Sequence, residues 1–104
     1  MYATFADNPG SGDDGARAYQ LTSAYPNPFN PETTFSLSVV RTQRVEVSIY
    51  NVLGQRVALL HQGLLEAGRT TVVRFNGEQL PSGLYVVRVQ GEHFAASQTV
   101  TLMK

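Results

Sequence analysis

The chain has 104 residues, one domain by length, and at this size folding buries roughly 60–70% of the chain's surface. Eight basic and eight acidic residues cancel and only 15% of residues are charged, which argues against an electrostatic grip on nucleic acid or an acidic membrane. The lack of cysteine excludes a disulfide framework and thiolate metal sites, and no apolar run approaches the ~18 residues of a membrane-spanning helix.

Residues 1–20 read as a linker. Asn8-Pro9-Gly10-Ser11-Gly12-Asp13-Asp14-Gly15 is polar and turn-forming, with almost nothing to bury, and all three aspartates (Asp7, Asp13, Asp14) lie in this segment. It lacks the apolar stretch of a signal peptide, which by itself assigns no compartment. From Leu21 the texture changes. Tyr25-Pro26-Asn27-Pro28-Phe29-Asn30-Pro31 comes first. Each proline fixes its φ, lacks an N–H and pushes the residue before it out of the helical region, so the run is expected to be extended. It suits a rigid lead-in to a β-fold or a recognition surface.

Short alternating segments follow. Thr33–Val39 places Phe35, Leu37 and Val39 on one face, and Arg44–Tyr50 places Val45, Val47 and Ile49 inward with Glu46 and Tyr50 outward. Asn51-Val52-Leu53-Gly54 is a tight turn, with Gly54 supplying positive φ. Gln55–Leu60 returns as the partner strand, with Val57 and Leu59 as core candidates. Gly63 and Gly68 bracket a loop through Leu64, Leu65 and Glu66. Thr70–Phe75 buries Val73 and Phe75, and Asn76-Gly77 and Pro81-Ser82-Gly83 are turns. Leu84–Gln90 puts Tyr85, Val87 and Val89 on one face. After Gly91-Glu92, Phe94–Met103 forms the last strand, with Ala96, Val100 and Leu102 on one side. Six or seven short strands at regular spacing, with no helical period, predict an all-β fold. The expected architecture is an immunoglobulin-like antiparallel β-sandwich over residues 21–104, without the Cys and Trp hallmarks of antibody domains.

The residues offer no active site. His61 and His93 read as partly exposed loop or strand-end side chains with no further ligand nearby in sequence, so no metal and no cofactor is expected. Residues 21–104 contain no aspartate for a Ca²⁺ loop. Glu32, Glu46, Glu66, Glu78 and Glu92 read as turn and strand-surface residues, and no serine sits in a nucleophile motif. Two non-catalytic alternatives stay open. A carbohydrate-binding module would need exposed aromatic platforms, for which Tyr50 is the single candidate. An immunoglobulin-like spacer or assembly scaffold needs no special residues.

Three blocks carry a resemblance: Tyr25–Pro31, then Ile49-Tyr50-Asn51-Val52-Leu53-Gly54-Gln55-Arg56-Val57, then Leu80-Pro81-Ser82-Gly83-Leu84-Tyr85-Val86-Val87-Arg88. In this order and spacing they resemble the C-terminal sorting domain of the type IX (Por) secretion system, from Leu21 to Lys104. The resemblance implies a small immunoglobulin-like sandwich, related to a domain of flagellar hook-capping proteins. It implies the last module of a secreted enzyme or adhesin of Bacteroidota-type bacteria. Such cargo reaches the periplasm by a signal peptide, and this module then directs it through an outer-membrane translocon. In many members the domain is removed and the cargo is joined to surface lipopolysaccharide. The implied partners are therefore the outer-membrane secretion and attachment machinery, the upstream catalytic domain and lipopolysaccharide, with the module a monomer at the outer face of the outer membrane. Recognition is expected at Pro26, Asn27, Pro28, Gly54, Pro81, Gly83, Tyr85 and Lys104, which also serve the fold; Phe29 is expected to plug the end of the sandwich. Members often carry several basic residues near the end, whereas Ala95-Ala96-Ser97-Gln98-Thr99 is neutral here, which favours surface attachment over any particular processing step. The last strand, at a sheet edge, is expected to be readable by strand addition, and removal of Leu102–Lys104 to leave a folded domain but abolish delivery.

Overall fold

Period-two alternation places one set of side chains on each face of a strand, and in this chain the apolar set is continuous enough to bury two sheets against each other. The computed structural model describes residues 18–104. Residues 1–17, with Asp7, Asp13, Asp14 and most of the expected linker, lie outside the described residues. The strands are β1 (Tyr19–Leu21), β2 (Glu32–Val39), β3 (Gln43–Tyr50), β4 (Arg56–Leu65), β5 (Thr70–Asn76), β6 (Gly83–Gly91) and β7 (Ala95–Leu102). One sheet has the order β1-β2-β5 and the other β4-β3-β6-β7, every pair antiparallel. Hairpins join β3 to β4 and β6 to β7, while β2–β3, β4–β5 and β5–β6 cross between sheets. This is an immunoglobulin-like sandwich in which the fourth strand pairs with the third, not with the fifth. β1 begins two residues ahead of the boundary expected at Leu21.

The core follows the alternation. Phe35, Leu37 and Val39 of β2 face Val45, Val47 and Ile49 of β3, Val73 and Phe75 of β5, Tyr85, Val87 and Val89 of β6, and Val100 and Leu102 of β7. Burying each large apolar side chain contributes about 1.5–3 kcal/mol against the conformational entropy of ordering the chain. Along the side where β1 and β7 flank the two sheets, Gln98 closes the gap. Its Oε1 accepts from the Ala24 N–H at 2.9 Å and its Nε2 donates to the Thr22 carbonyl at 3.0 Å. Tyr19 stacks on Phe94 beside this clasp, with ring centroids 4.7 Å apart. Ala96, expected inward, is only partly buried there.

Strand β4 departs from the alternation. Val47 pairs with His61 but Ser48 pairs with Leu59, and Ile49 pairs with Ala58 but Tyr50 with Arg56, so Leu60 and Val57 are inserted residues. One extra residue flips every side chain beyond it to the other face. Leu59, expected in the core, is therefore 44% exposed, while Leu60 packs against the core. The second insertion returns Val57 to partial burial. Strand β4 also runs on through Leu64 and Leu65, where a loop was expected; pairing of Gln43 with Leu65 carries it there. His61 is accordingly a mid-strand residue, not a loop residue, and its Nε2 is buried without a partner among the described residues. Glu46 is half-buried and accepts from Arg56 and Ser48.

Candidate recognition surface

The proline-rich run is not extended. It closes on itself as a loop whose ends pair: Tyr25 and Thr34 exchange backbone hydrogen bonds of 2.9 and 3.1 Å, and the Thr33 hydroxyl donates to the Pro26 carbonyl at 2.7 Å. Three of its seven residues have no N–H, so few donors must be satisfied as it bends. Those that matter reach β7. Asn27 Nδ2 donates to the Thr99 carbonyl at 3.3 Å, and Asn27 Oδ1 accepts from the Thr101 N–H at 2.9 Å. Phe29 donates its N–H to the Thr101 carbonyl at 2.8 Å, and its carbonyl accepts from the Met103 N–H at 2.9 Å. The half of the β7 edge between Thr99 and Met103 is thus already occupied, so strand addition there is blocked, contrary to the expectation from its edge position.

Phe29 plugs the end of the sandwich, as expected. It is 1% exposed and lies against Phe75, with centroids 5.3 Å apart. The neighbouring loop makes room with Gly77. A Cβ there would stand 2.8 Å from Leu102 Cδ2 and 3.4 Å from Phe29 Cε2. In the sequence Gly77 looks like an ordinary turn glycine, and only the packing shows that its missing side chain matters.

The β3–β4 turn is held by Asn51, another residue that sequence reasoning passed over. Its Oδ1 accepts from the N–H groups of Leu53 and Gln55, both at 3.0 Å, and its Nδ2 donates to Gln55 Oε1 at 2.9 Å. An Asx turn of this kind is the available signal. Gly54 has φ +82° with open space around it, so backbone conformation, not crowding, requires glycine. Gly54→Ala is expected to cost about 1 kcal/mol. A thermal melt lower by a few degrees at unchanged fold is the check.

Tyr85 sits near the start of β6. Its hydroxyl donates to the Pro81 carbonyl at 2.6 Å and its ring packs edge-on to Phe75, with centroids 6.1 Å apart. This is the tyrosine corner of immunoglobulin-like sandwiches. At 4% exposure Tyr85 offers no contact surface of its own; it acts by fixing the Pro81–Gly83 corner. Tyr85→Phe keeps the ring and leaves the Pro81 carbonyl without its donor. We expect it to cost about 1–2 kcal/mol, measured by urea titration. Lys104 turns back onto the same corner, its N–H donating to Ser82 Oγ at 3.0 Å and its Nζ to the Glu78 carbonyl at 2.6 Å.

The topology gathers these features. Gly83 is level with Leu102, Tyr50 with Val86 and Glu32 with Asn76, and Gly77 donates to the Pro31 carbonyl. The proline loop, the Asn51–Gly54 turn, the Gly77–Ser82 loop and Met103–Lys104 therefore all stand at one pole of the sandwich. Pro26, Asn27, Pro28, Gly54, Pro81 and Lys104 are exposed there, Gly83 is half-buried and Tyr85 is buried. Among the described residues no three His, Asp or Glu side chains stand close enough to share a metal ion. Tyr50, the single candidate for a sugar platform, is half-buried.

Residues 23–102 match the family model described as a secretion system C-terminal sorting domain. The chain belongs to this family, the sorting domains of the type IX secretion system. No curated protein matches the chain. The sorting domain is a non-catalytic module that directs secretion through the type IX system and broadly targets its cargo to the cell surface. It interacts with the secretion machinery and serves a larger protein upstream. Each of the three blocks of the family resemblance contributes a loop to this pole, and the tyrosine corner, the Phe29 plug and the Asx turn are what hold those loops.

Proposed function

We propose that the sorting domain is read at this pole, with Pro26, Asn27, Pro28, Gly54, Pro81, Gly83 and Lys104 shaping the recognised surface and Tyr85 setting its corner. The cargo is a larger secreted enzyme, tethered by the residues ahead of β1. The module, a monomer, stays with it on the outer face of the outer membrane, and surface lipopolysaccharide is the attachment partner. The observation that carries this reading is the convergence of three sequence-distant blocks and Lys104 on one end of the sandwich. A fold needs stable turns at both ends, yet the proline loop, the Asx turn and the tyrosine corner are concentrated at one.

The test is fractionation of native cells with one antibody to this module and another to the upstream protein. Both signals on the outer surface support retention as an anchor. The upstream signal alone would show that the module is removed after sorting. Both signals free in the medium, with retention on insoluble polysaccharide, would replace this reading with a carbohydrate-binding one.

A further inference from the structure

The two poles of the sandwich differ in chemistry. Residues 25–31, 51–55, 77–82 and 103–104 form the pole described above, and their charged side chains are Glu78 and Lys104 alone. The Lys104 ammonium is held by the Glu78 carbonyl. The other pole consists of residues 40–42, 66–69 and 92–94, a shorter stretch that carries Arg41, Glu66, Arg69 and Glu92 as well as His93.

Apolar exposure runs the other way. Nine large apolar side chains are exposed among the described residues; four of them belong to the sparsely charged pole, Tyr25 at 80%, Val52 at 74%, Leu53 at 78% and Met103 at 57%, and Leu84 at 48% follows it at the start of β6. Single exposed apolar residues are ordinary, but a concentration of them on one small surface marks a contact site. Their backbones are held by the Asn51 turn, the Tyr25–Thr34 pairing and the Met103–Phe29 hydrogen bond. Docking through side chains on such fixed loops costs little ordering entropy.

The chain approaches from the opposite side. Tyr19 pairs with Val39, and the Val40 N–H donates to the Ala18 carbonyl, so the polypeptide ahead of β1 joins the sandwich at the charged pole. Strands such as the eight-residue β2 and β3 hold the poles roughly 25 Å apart at about 3.3 Å per residue. The covalent attachment of an upstream protein is therefore at the pole opposite these exposed apolar side chains.

We infer that the sparsely charged pole is an apolar docking knob: Val52, Leu53, Met103 and Tyr25, with Leu84 beside them, seat in an apolar cleft of a protein of the secretion machinery, while the cargo trails from the more highly charged pole. This rests on the sorting reading and deepens it. The Pro, Gly and Asn residues of the blocks hold the knob, and the exposed apolar side chains make the contact.

The experiment expresses the full-length protein in a cell with a type IX system and measures the secreted fraction. Val52→Glu with Leu53→Glu changes only exposed turn side chains and should melt within a few degrees of wild type, while secretion falls about tenfold or more, as for loss of a hot spot. Val52→Ser with Leu53→Ser, a milder pair, should fall in the same direction. Arg41→Glu with Arg69→Glu, at the other pole, should leave secretion unchanged. Secretion of both turn variants within twofold of wild type overturns the inference, even where deletion of residues 19–104 abolishes secretion and so upholds the sorting reading. Normal secretion after that deletion overturns both. Binding of the wild type, and not of the turn variants, to insoluble polysaccharide would make the pole a sugar platform and also overturn the inference.

Discussion

Ending the chain at Thr101 is expected to destabilise the module by roughly 3–6 kcal/mol and to lower its melting temperature by more than about 12 °C. Leu102 is fully buried, beneath Gly77 and beside Phe29. Its removal opens a cavity in the pole, and the Met103–Phe29 and Lys104–Ser82 hydrogen bonds go with it. Single-domain stabilities are about 5–15 kcal/mol, so such a loss consumes much of the total. The expectation of a folded domain without Leu102–Lys104 came from the edge position of the last strand, and the burial of Leu102 in the core weighs against it. Ending the chain at Leu102 is the informative contrast. Met103 is 57% exposed and Lys104 is exposed, so that variant keeps its core and should lose about 1–2 kcal/mol. Chemical denaturation of the two truncations, with the slope of the transition unchanged in the longer one, checks the difference. A shorter chain that unfolds at the same denaturant concentration as the longer one would contradict the role given to Leu102.

Phe29→Ala is expected to cost about 3–5 kcal/mol, because it empties the space between the proline loop, Phe75 and Leu102. The loop would keep its Asn27 bonds to β7 but lose the plug that holds it inward. Gly77 gives a sharper version of the same test. Gly77→Ala alone forces its new methyl against Leu102 and Phe29, both buried at the packed end, and is expected to cost about 1–3 kcal/mol. In the Phe29→Ala background the vacated volume lets Leu102 give way. The second substitution should then cost about 1 kcal/mol less than it does alone, or even regain stability. A double-mutant cycle by urea titration measures this. Simple additivity would mean that Gly77 and Phe29 do not share one cavity.

Features set by short-range interactions were legible in the sequence, and those set by long-range ones were not. Phe35, Leu37 and Val39, or Val45, Val47 and Ile49, were legible because a strand's side-chain period is two and polar partners mark the outer face. Tyr85, Val87 and Val89 followed the same rule, and all of these are buried. The turn at Gly54 was legible because a positive φ is a local demand on one residue. The blocks of the family resemblance were legible for the same reason, being strings of residues with local backbone requirements.

What stayed hidden involves contacts between residues far apart in the chain. The bulges at Leu60 and Val57 are inserted in β4 only relative to β3, so nothing in the run Arg56–Leu65 announces that Leu59 turns outward. The proline run reads as extended by its torsional preferences, yet pairing of Tyr25 with Thr34 and the reach of Asn27 to β7 fold it into a closed loop. Gln98 looks like a polar interruption of the last strand until Thr22 and Ala24 come within hydrogen-bonding distance. By itself the sequence determined the fold class, the faces of most strands, the turns and the family, because each depends on local periodicity or backbone chemistry. Only the tertiary structure decided that the Tyr85 hydroxyl meets the Pro81 carbonyl, that Gly77 must be small, and that the blocks share one pole opposite the incoming chain. Those depend on which strands become neighbours and in what register, and that is settled by packing the whole core at once.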